Sequence, residues 1–484
     1  MSAAMLLSTL LAASTVQLAA AEVKIKVDPA ITYPGWEGWG TSLAWWAAVF
    51  GDRDDLADAF FSLKETKLND QTLPGLGFTI ARYNAGACTK NQVNNVGINI
   101  TTSMIPSRAM EGFWLNDESA DINSASWDWE VDKNQRLMLS KAVERGVTHT
   151  ELFSNSPMWW MLENLNPAGG NDGGSNLVPE FFAKHADYLA AVAEKAARDW
   201  GVTFTTIEPF NEPMANWWKG PTGTQEGCHI DRDSQAKIIG HLAEAMKKRS
   251  LTKSTIAASD ENHFQETVDT WKAIGPTAQG QITRINAHGY QAAQNDARKE
   301  LWKIASEAKK DLWTSEHGEN DATGAKMVNS IMLDLRLMHP NGWVYWQVLD
   351  GGGWGLIDAD NEAKTIKGAT AKYYALAHFS RHIRPGMTLL ETGSDSVVAA
   401  YDASTKKLAI VAANFGETDT FSFDISSFKN VPAAGTAVPA WETILADTGA
   451  RYASNTKNTI SGTQFGASLE KNSVQTFEIE GLTL

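Results

Sequence analysis

A chain of 484 residues, with 20% charged and 43% hydrophobic side chains, can fill about two to four domains and bury a core, which excludes a disordered protein. Its 42 basic and 57 acidic residues leave a net charge of −15 with no Lys/Arg-rich block, so nucleic acid and anionic membrane are poor partners. Tryptophan stands out at 19 residues, and its flat indole face matches the C–H faces of sugars, so the composition leans toward carbohydrate.

Residues 1–21 (MSAAMLLSTLLAASTVQLAAA) carry no charged side chain and end in Ala19-Ala20-Ala21. The pattern predicts a signal peptide cleaved before Glu22, although the basic n-region is missing, and hence a secreted, extracellular protein. The polar Ser8, Thr9, Ser14, Thr15 and Gln17 make a membrane anchor the poorer reading. Glu22–Val27 alternates, and residues 22–34 are expected to lend a strand to a domain at the other end of the chain.

Eight apolar or β-branched segments then read as buried strands: Gly35–Gly40, Phe78–Asn84, His149–Ser154, Thr205–Phe210, Thr255–Asp260, Arg284–His288, Asp311–Ser315 and Trp343–Val348. Helical periods lie between most of them. Val178–Trp200 sets Phe181, Phe182, His185, Leu189, Val192 and Ala196 along one side, and Asp231–Lys248 and Ala325–Met338 behave alike. This alternation predicts a (β/α)8 barrel over residues 35–383. An open doubly wound sheet is the alternative, but Trp39-Gly40-Thr41-Ser42 is not the glycine-rich phosphate loop it would carry.

Over residues 384–484 the segments Ser396–Tyr401, Leu408–Ala413, Thr420–Ile425, Ala437–Thr443 and Ser473–Ile479 predict a smaller antiparallel β-sandwich. Only Trp441 of the tryptophans falls there, so this side domain reads as structural rather than sugar-binding. Cys88 and Cys228 both follow predicted strands, where a bridge and two free thiols are both open. No His/Cys/Asp cluster has metal-ligand spacing, and one sequon, Asn99-Ile100-Thr101, lies in a polar stretch.

Barrel chemistry sits where strands end. Strand four runs into Asn211-Glu212-Pro213 and strand seven into Glu316, and these two strands lie across the barrel axis from each other. Two opposed carboxylates are what glycoside hydrolysis needs, one to protonate the leaving oxygen and one to attack or to activate water. Neither metal nor organic cofactor is implied by that chemistry. Arg82, ending strand two, and Tyr290, after strand six, are candidate donors to the Glu316 carboxylate. Trp346 is a candidate sugar platform. Glu208 either points into the barrel or bonds a substrate hydroxyl. His288 and His317 lie near the mouth, where bracing a glutamate is the leading role. Asn84, Asn155, Trp45, Trp46, Trp159, Trp160, Trp217, Trp218 and Trp354 follow strands and are candidates for lining a cleft, several of them core, while Glu319 reads as solvated loop.

The combination of Glu208-Pro209-Phe210-Asn211-Glu212-Pro213, Thr314–Asn320 (TSEHGEN), Trp346–Leu356 (WQVLDGGGWGL) and Lys372–Gly386 (KYYALAHFSRHIRPG) resembles clan A glycoside hydrolases of family 30. Within that family it is similar to the fungal endo-β-1,6-galactanases of subfamily 5. The resemblance implies a retaining double displacement with Glu212 as acid/base, Glu316 as nucleophile, and Asn211 bonding the sugar 2-hydroxyl. It implies a polysaccharide partner, with a monomer as the default. Within the family a β-1,6-glucanase, a glucuronoxylanase and a glucosylceramidase-like enzyme are alternatives. Arg53, Arg108 and Lys219 lie in loops suited to a uronic acid, with nothing to single them out. A non-catalytic carbohydrate-binding protein on the same barrel is the alternative of a different class.

Overall fold

The computed structural model describes residues 22–33, 35–290 and 293–484. The segment read as a signal peptide, residues 1–21, lies outside the described residues. The first two barrel strands have no exposed residue, and their buried polar side chains, Thr41, Ser42, Arg82 and Asn84 among them, lie within the fold. The eight are β1 (Gly38–Ser42), β2 (Ile80–Asn84), β3 (His149–Phe153), β4 (Thr206–Glu208), β5 (Thr255–Glu261), β6 (Ile282–His288), β7 (Asp311–His317) and β8 (Gly342–Tyr345). Each pairs in parallel with its chain neighbours, and β8 closes on β1. These are the eight segments expected from the sequence, with ends moved by at most three residues.

The connecting helices bury one stripe against the strands. Phe182–Lys195 turns Phe182, His185, Leu189 and Val192 inward, then widens over Ala196–Trp200 and stops at Gly201, whose φ of 69° suits a residue without a Cβ. Arg232–Lys248 starts at Asp231, which accepts the Ser234 backbone N–H at 2.9 Å. Among the described residues no helix is long and apolar enough to cross a membrane.

The C-terminal rim of the barrel departs from regular pairing. Register slips between Ser259 and Glu261 on β5, at Ala287/His288 where β6 meets β7, and between Thr314 and His317 where β7 meets β8. Such slips re-aim side chains, and here they bring both Asp260 and Glu316 against His288.

The side domain is a sandwich. One sheet orders Asp28–Tyr33, Thr388–Glu391, Val397–Asp402, Lys407–Asn414, Ser473–Glu480, Ala437–Ile444 and Ala453–Thr459 side by side. The other joins Val23–Lys26, Asp419–Asp424 and Gln464–Leu469, with Ile25, Phe421, Phe423, Phe465 and Phe477 packed between the two. The N-terminal strand is thus lent as expected, but it pairs in parallel with Asp419–Asp424. Thr388–Glu391, Ala453–Thr459 and Gln464–Leu469 are strands that the sequence pattern did not reveal, the first because four residues are too few for alternation to register, the other two because their exposed positions are rich in Ser, Thr, Asn and Gly.

The helix Ala371–Ser380 is buried on every side because it lies between barrel and sandwich. His378 bonds Thr476 at 2.8 Å and Thr443 at 2.9 Å, while Tyr373 donates to Ala59 O and Pro74 O at 2.9 Å. Both cysteines are free and buried, which settles the open bridge. Cys88 instead donates to Glu226 at 3.4 Å, and burial pushes the Cys228 thiol up to about 12.

Candidate active site

The two strand-end carboxylates meet. Glu212 stands in the loop after β4 at φ 48°, a backbone region that a glutamate takes only when its surroundings impose it. Asp260 O accepts its backbone N–H at 2.8 Å, and its own carbonyl accepts from Trp218 Nε1 at 3.0 Å. Its Oε1 receives Asn262 Nδ2 at 2.8 Å and His288 Nδ1 at 3.2 Å. Glu316, on β7, receives Tyr290 Oη on Oε1 at 2.5 Å and Arg82 Nη1 on Oε2 at 3.1 Å.

Beneath them lies a buried layer of alternating charge. The Arg82 guanidinium has no exposure and spans Glu151, Asp260, Glu316 and the Ser315 carbonyl, with its face 4.3 Å from the Phe153 ring centre. Burial disfavours its charge, yet Asp260, Glu151 and Glu316 together hold it protonated beyond its ordinary range. Burial also opposes ionisation of Asp260, but Arg82 and then His288 keep that carboxyl well below the usual carboxylate range. His288 Nε2 approaches Asp260 Oδ1 at 3.2 Å outside hydrogen-bond geometry, so the two meet as an ion pair. Burial pulls the imidazole down, and Glu316 and Asp260 outweigh it to carry it up to about 10. Burial lifts Glu316 to about 7, while His288 and Arg82 favour its ionised form.

Glu212, His288 and Glu316 are also the group that, among the described residues, has metal-ligand spacing, with one atom from each lying within 4.8 Å of the others. Asn262, Tyr290 and Arg82 already serve these carboxylates as donors, and Arg82 adds positive charge beside Glu316. The set therefore suits proton transfer and carboxylate attack.

Above the pair opens a cleft of about 490 Å³. Its walls include Asn211, Glu212, Asn262, Tyr290 and Glu316, the tryptophans Trp45, Trp217, Trp218, Trp346 and Trp354, and the polar Gln225, Gln347, Asp350 and Arg108. Trp45, at φ 60°, stands edge-on to Trp346 at 4.9 Å, and Arg108 stacks on Trp45 at 4.2 Å. Trp45 Nε1, Asn211 Oδ1 and Gln347 Oε1 are buried without a hydrogen-bond partner, one donor and two acceptors around a space of sugar size.

Of the predicted site residues, Glu212, Glu316, Asn211, Arg82, Tyr290, Trp346 and His288 come together here, His288 as a brace between the carboxylates. Three do not reach the cleft. Glu208 is wholly buried in the barrel, where Asn286 Nδ2 at 3.2 Å and the Phe210 N–H at 3.2 Å hold its carboxyl. Burial, then Asp260 and Glu151, raise its pKa well above the usual carboxylate range. Trp159 packs in the core and donates to Thr89 at 2.5 Å. Asn84 is buried between Glu226 and the Asn155 N–H. Glu319 is not solvated loop either: Lys372 at 2.8 Å and His317 at 2.6 Å tie it down, and against burial they lower it to about 2. Sequence reasoning missed Asp260 and Asn262, for which the polar run Ser259–Asn262 at the end of an apolar strand was the available signal.

The model of O-glycosyl hydrolase family 30 matches residues 22–290. An endo-beta-1,6-galactanase of Hypocrea rufa is 45% identical over 468 residues, 97% of each chain. A conserved exported protein from Bacteroides fragilis superposes with a TM-score of 0.76 at 18% identity, over 95% of this chain and 100% of that one. The catalytic domain of GH30 xylanase C from Talaromyces cellulolyticus gives 0.70 at 20% identity with the same coverage, a likeness of fold alone.

Proposed function

The chain belongs to O-glycosyl hydrolase family 30, and on that footing we propose that it is a secreted, retaining endo-β-1,6-galactanase acting on the side chains of arabinogalactan. The observation that carries the mechanism is the close approach of Glu212 and Glu316, an oxygen of each within 4.8 Å. Retaining pairs stand about 5–5.5 Å apart, whereas inverting pairs leave about 6.5–9.5 Å for a water. The Hypocrea rufa relative supports the linkage, being named for it and alike over nearly the whole chain. The uncharged residues 1–21 and a polymeric substrate support export.

In the first step a Glu316 oxygen attacks the anomeric carbon while the bond from that carbon to the departing O6 breaks. Glu212 gives its proton to that oxygen, leaving a glycosyl ester on Glu316 and a Glu212 carboxylate. In the second step Glu212 takes a proton from water as the water oxygen attacks the same carbon. The ester bond breaks and Glu316 leaves as a carboxylate. Arg82 and Tyr290 hold the Glu316 oxygens and favour its charged form, which is the attacking and the departing species. Asn211 Oδ1, unpartnered in the cleft wall, is placed to accept a sugar hydroxyl beside the reacting carbon.

A substrate panel tests the reading: arabinose-trimmed arabinogalactan, β-1,6-glucan, glucuronoxylan and glucosylceramide, with Glu316→Gln as blank. Short galacto-oligosaccharides released by the wild type alone are the expected outcome, unaffected by EDTA. Release from another member instead removes the galactan assignment. Equal release by wild type and Glu316→Gln removes the nucleophile.

A further inference from the structure

Trp217 and Trp354 are the two exposed tryptophans among the described residues, at 48% and 36%, and both line the cleft. They come from the loops after β4 and β8, which lie across the closed barrel from each other. Each packs against the backbone segment of a different catalytic glutamate. Trp218 donates to the Glu212 carbonyl at 3.0 Å and meets Trp217 edge to face at 6.0 Å. Trp218 is itself locked in place, since a Cβ on Gly227 would stand 2.2 Å from its ring. On the other side Trp354 packs over Gly318, two residues after Glu316, where an added Cβ would touch its ring at 3.3 Å.

The acid/base must face the departing oxygen, so the sugar bearing that oxygen lies on the Glu212 side. We infer that Trp217 is the stacking platform for the leaving galactose, and that Trp354 with Trp346 serves the sugar that becomes bound to Glu316. This assignment rests on the galactanase reading and adds the side on which each sugar binds. A 1→6 linkage places a methylene between the glycosidic oxygen and the next ring, adding a rotatable bond that leaves the departing ring free to swing. An exposed indole beside the acid takes up the C–H face of that ring and fixes it before protonation.

Two substrates separate the sides: β-1,6-galactotetraose, which has a leaving sugar, and β-1,6-galactobiosyl fluoride, whose leaving group is a single atom. Trp217→Ala is expected to lower kcat/KM on the tetraose about tenfold more than on the fluoride, with Trp217→Phe restoring part of the loss. With the fluoride as donor and galactobiose as acceptor, it is also expected to shift the products from transfer to hydrolysis. Trp354→Ala is expected to lower both substrates alike. Equal losses on the two substrates for Trp217→Ala, or no loss on either, would overturn the leaving-side platform. A wild type inert on both would overturn the galactanase reading itself, and the platform with it.

Discussion

Arg82 sets the charge balance of the site. A guanidinium buried among three carboxylates is stable only while those partners stay in place, and removing one member of such a set costs about 3–5 kcal/mol. Tyr290 is the more tractable residue to change. Its hydroxyl donates to Glu316 at 2.5 Å, so Tyr290→Phe withdraws a donor from the ionised form and raises the pH at which Glu316 takes a proton. The acid limb of kcat/KM is expected to move to higher pH by about one unit, a shift suited to one lost charge-assisted bond. A limb that stays in place would remove Tyr290 from this role. Arg82, Tyr290, Glu212 and Glu316 were legible because each follows or ends a barrel strand and carries a residue type the chemistry needs. Asp260 was not, because the register slip beside it decides which way it points. Trp159 and Asn84 were misread for a related reason: position after a strand does not say whether a side chain turns to the cleft or to the core.

The loop after β4 carries Trp217, Trp218 and Gln225 to the cleft, and its anchor is Glu226. That carboxyl is wholly buried, raised by burial to about 7, and receives the Ala87 N–H at 2.9 Å, Asn84 Nδ2 at 3.2 Å and the Cys88 thiol. Glu226→Ala leaves those donors unpaired and is expected to cost about 2–4 kcal/mol in denaturant unfolding, with KM rising more than kcat falls. A stability within 0.5 kcal/mol of wild type, roughly the level of a neutral surface change, would show that the anchor is elsewhere. The eight strands and main helices were legible as elements through their periods. The short sheet after β8, Leu349–Asp350 with Ile357–Asp360 and Thr365–Ala369, was not, since its strands are too short for alternation to register.

At the scale of the whole molecule, the segment Lys372–Gly386 joins the barrel to the sandwich. His382 donates to Glu478 at 2.8 Å and Lys407 reaches the same oxygen at 2.9 Å. Burial lowers the His382 pKa, while its bond to Glu478 favours the protonated ring. Against burial, these contacts hold Glu478 down at about 2. A folded pKa below the unfolded value of about 4.3 stabilises the protein above that pH, and the contribution fades as pH falls toward 2. With screening allowed for, it is worth about 1–2 kcal/mol, so Glu478→Gln is expected to be less stable at pH 6 and to converge on wild type near pH 2. Parallel stability curves over that range would contradict the assignment. Attack on carbon by Glu316, with Glu212 serving first as acid and then as base, fixes the stereochemistry. Cleavage of β-1,6-galactotetraose followed by proton NMR reads it directly. The newly formed reducing end is expected to appear first as the β anomer and only later to mutarotate. An α anomer appearing first would contradict it.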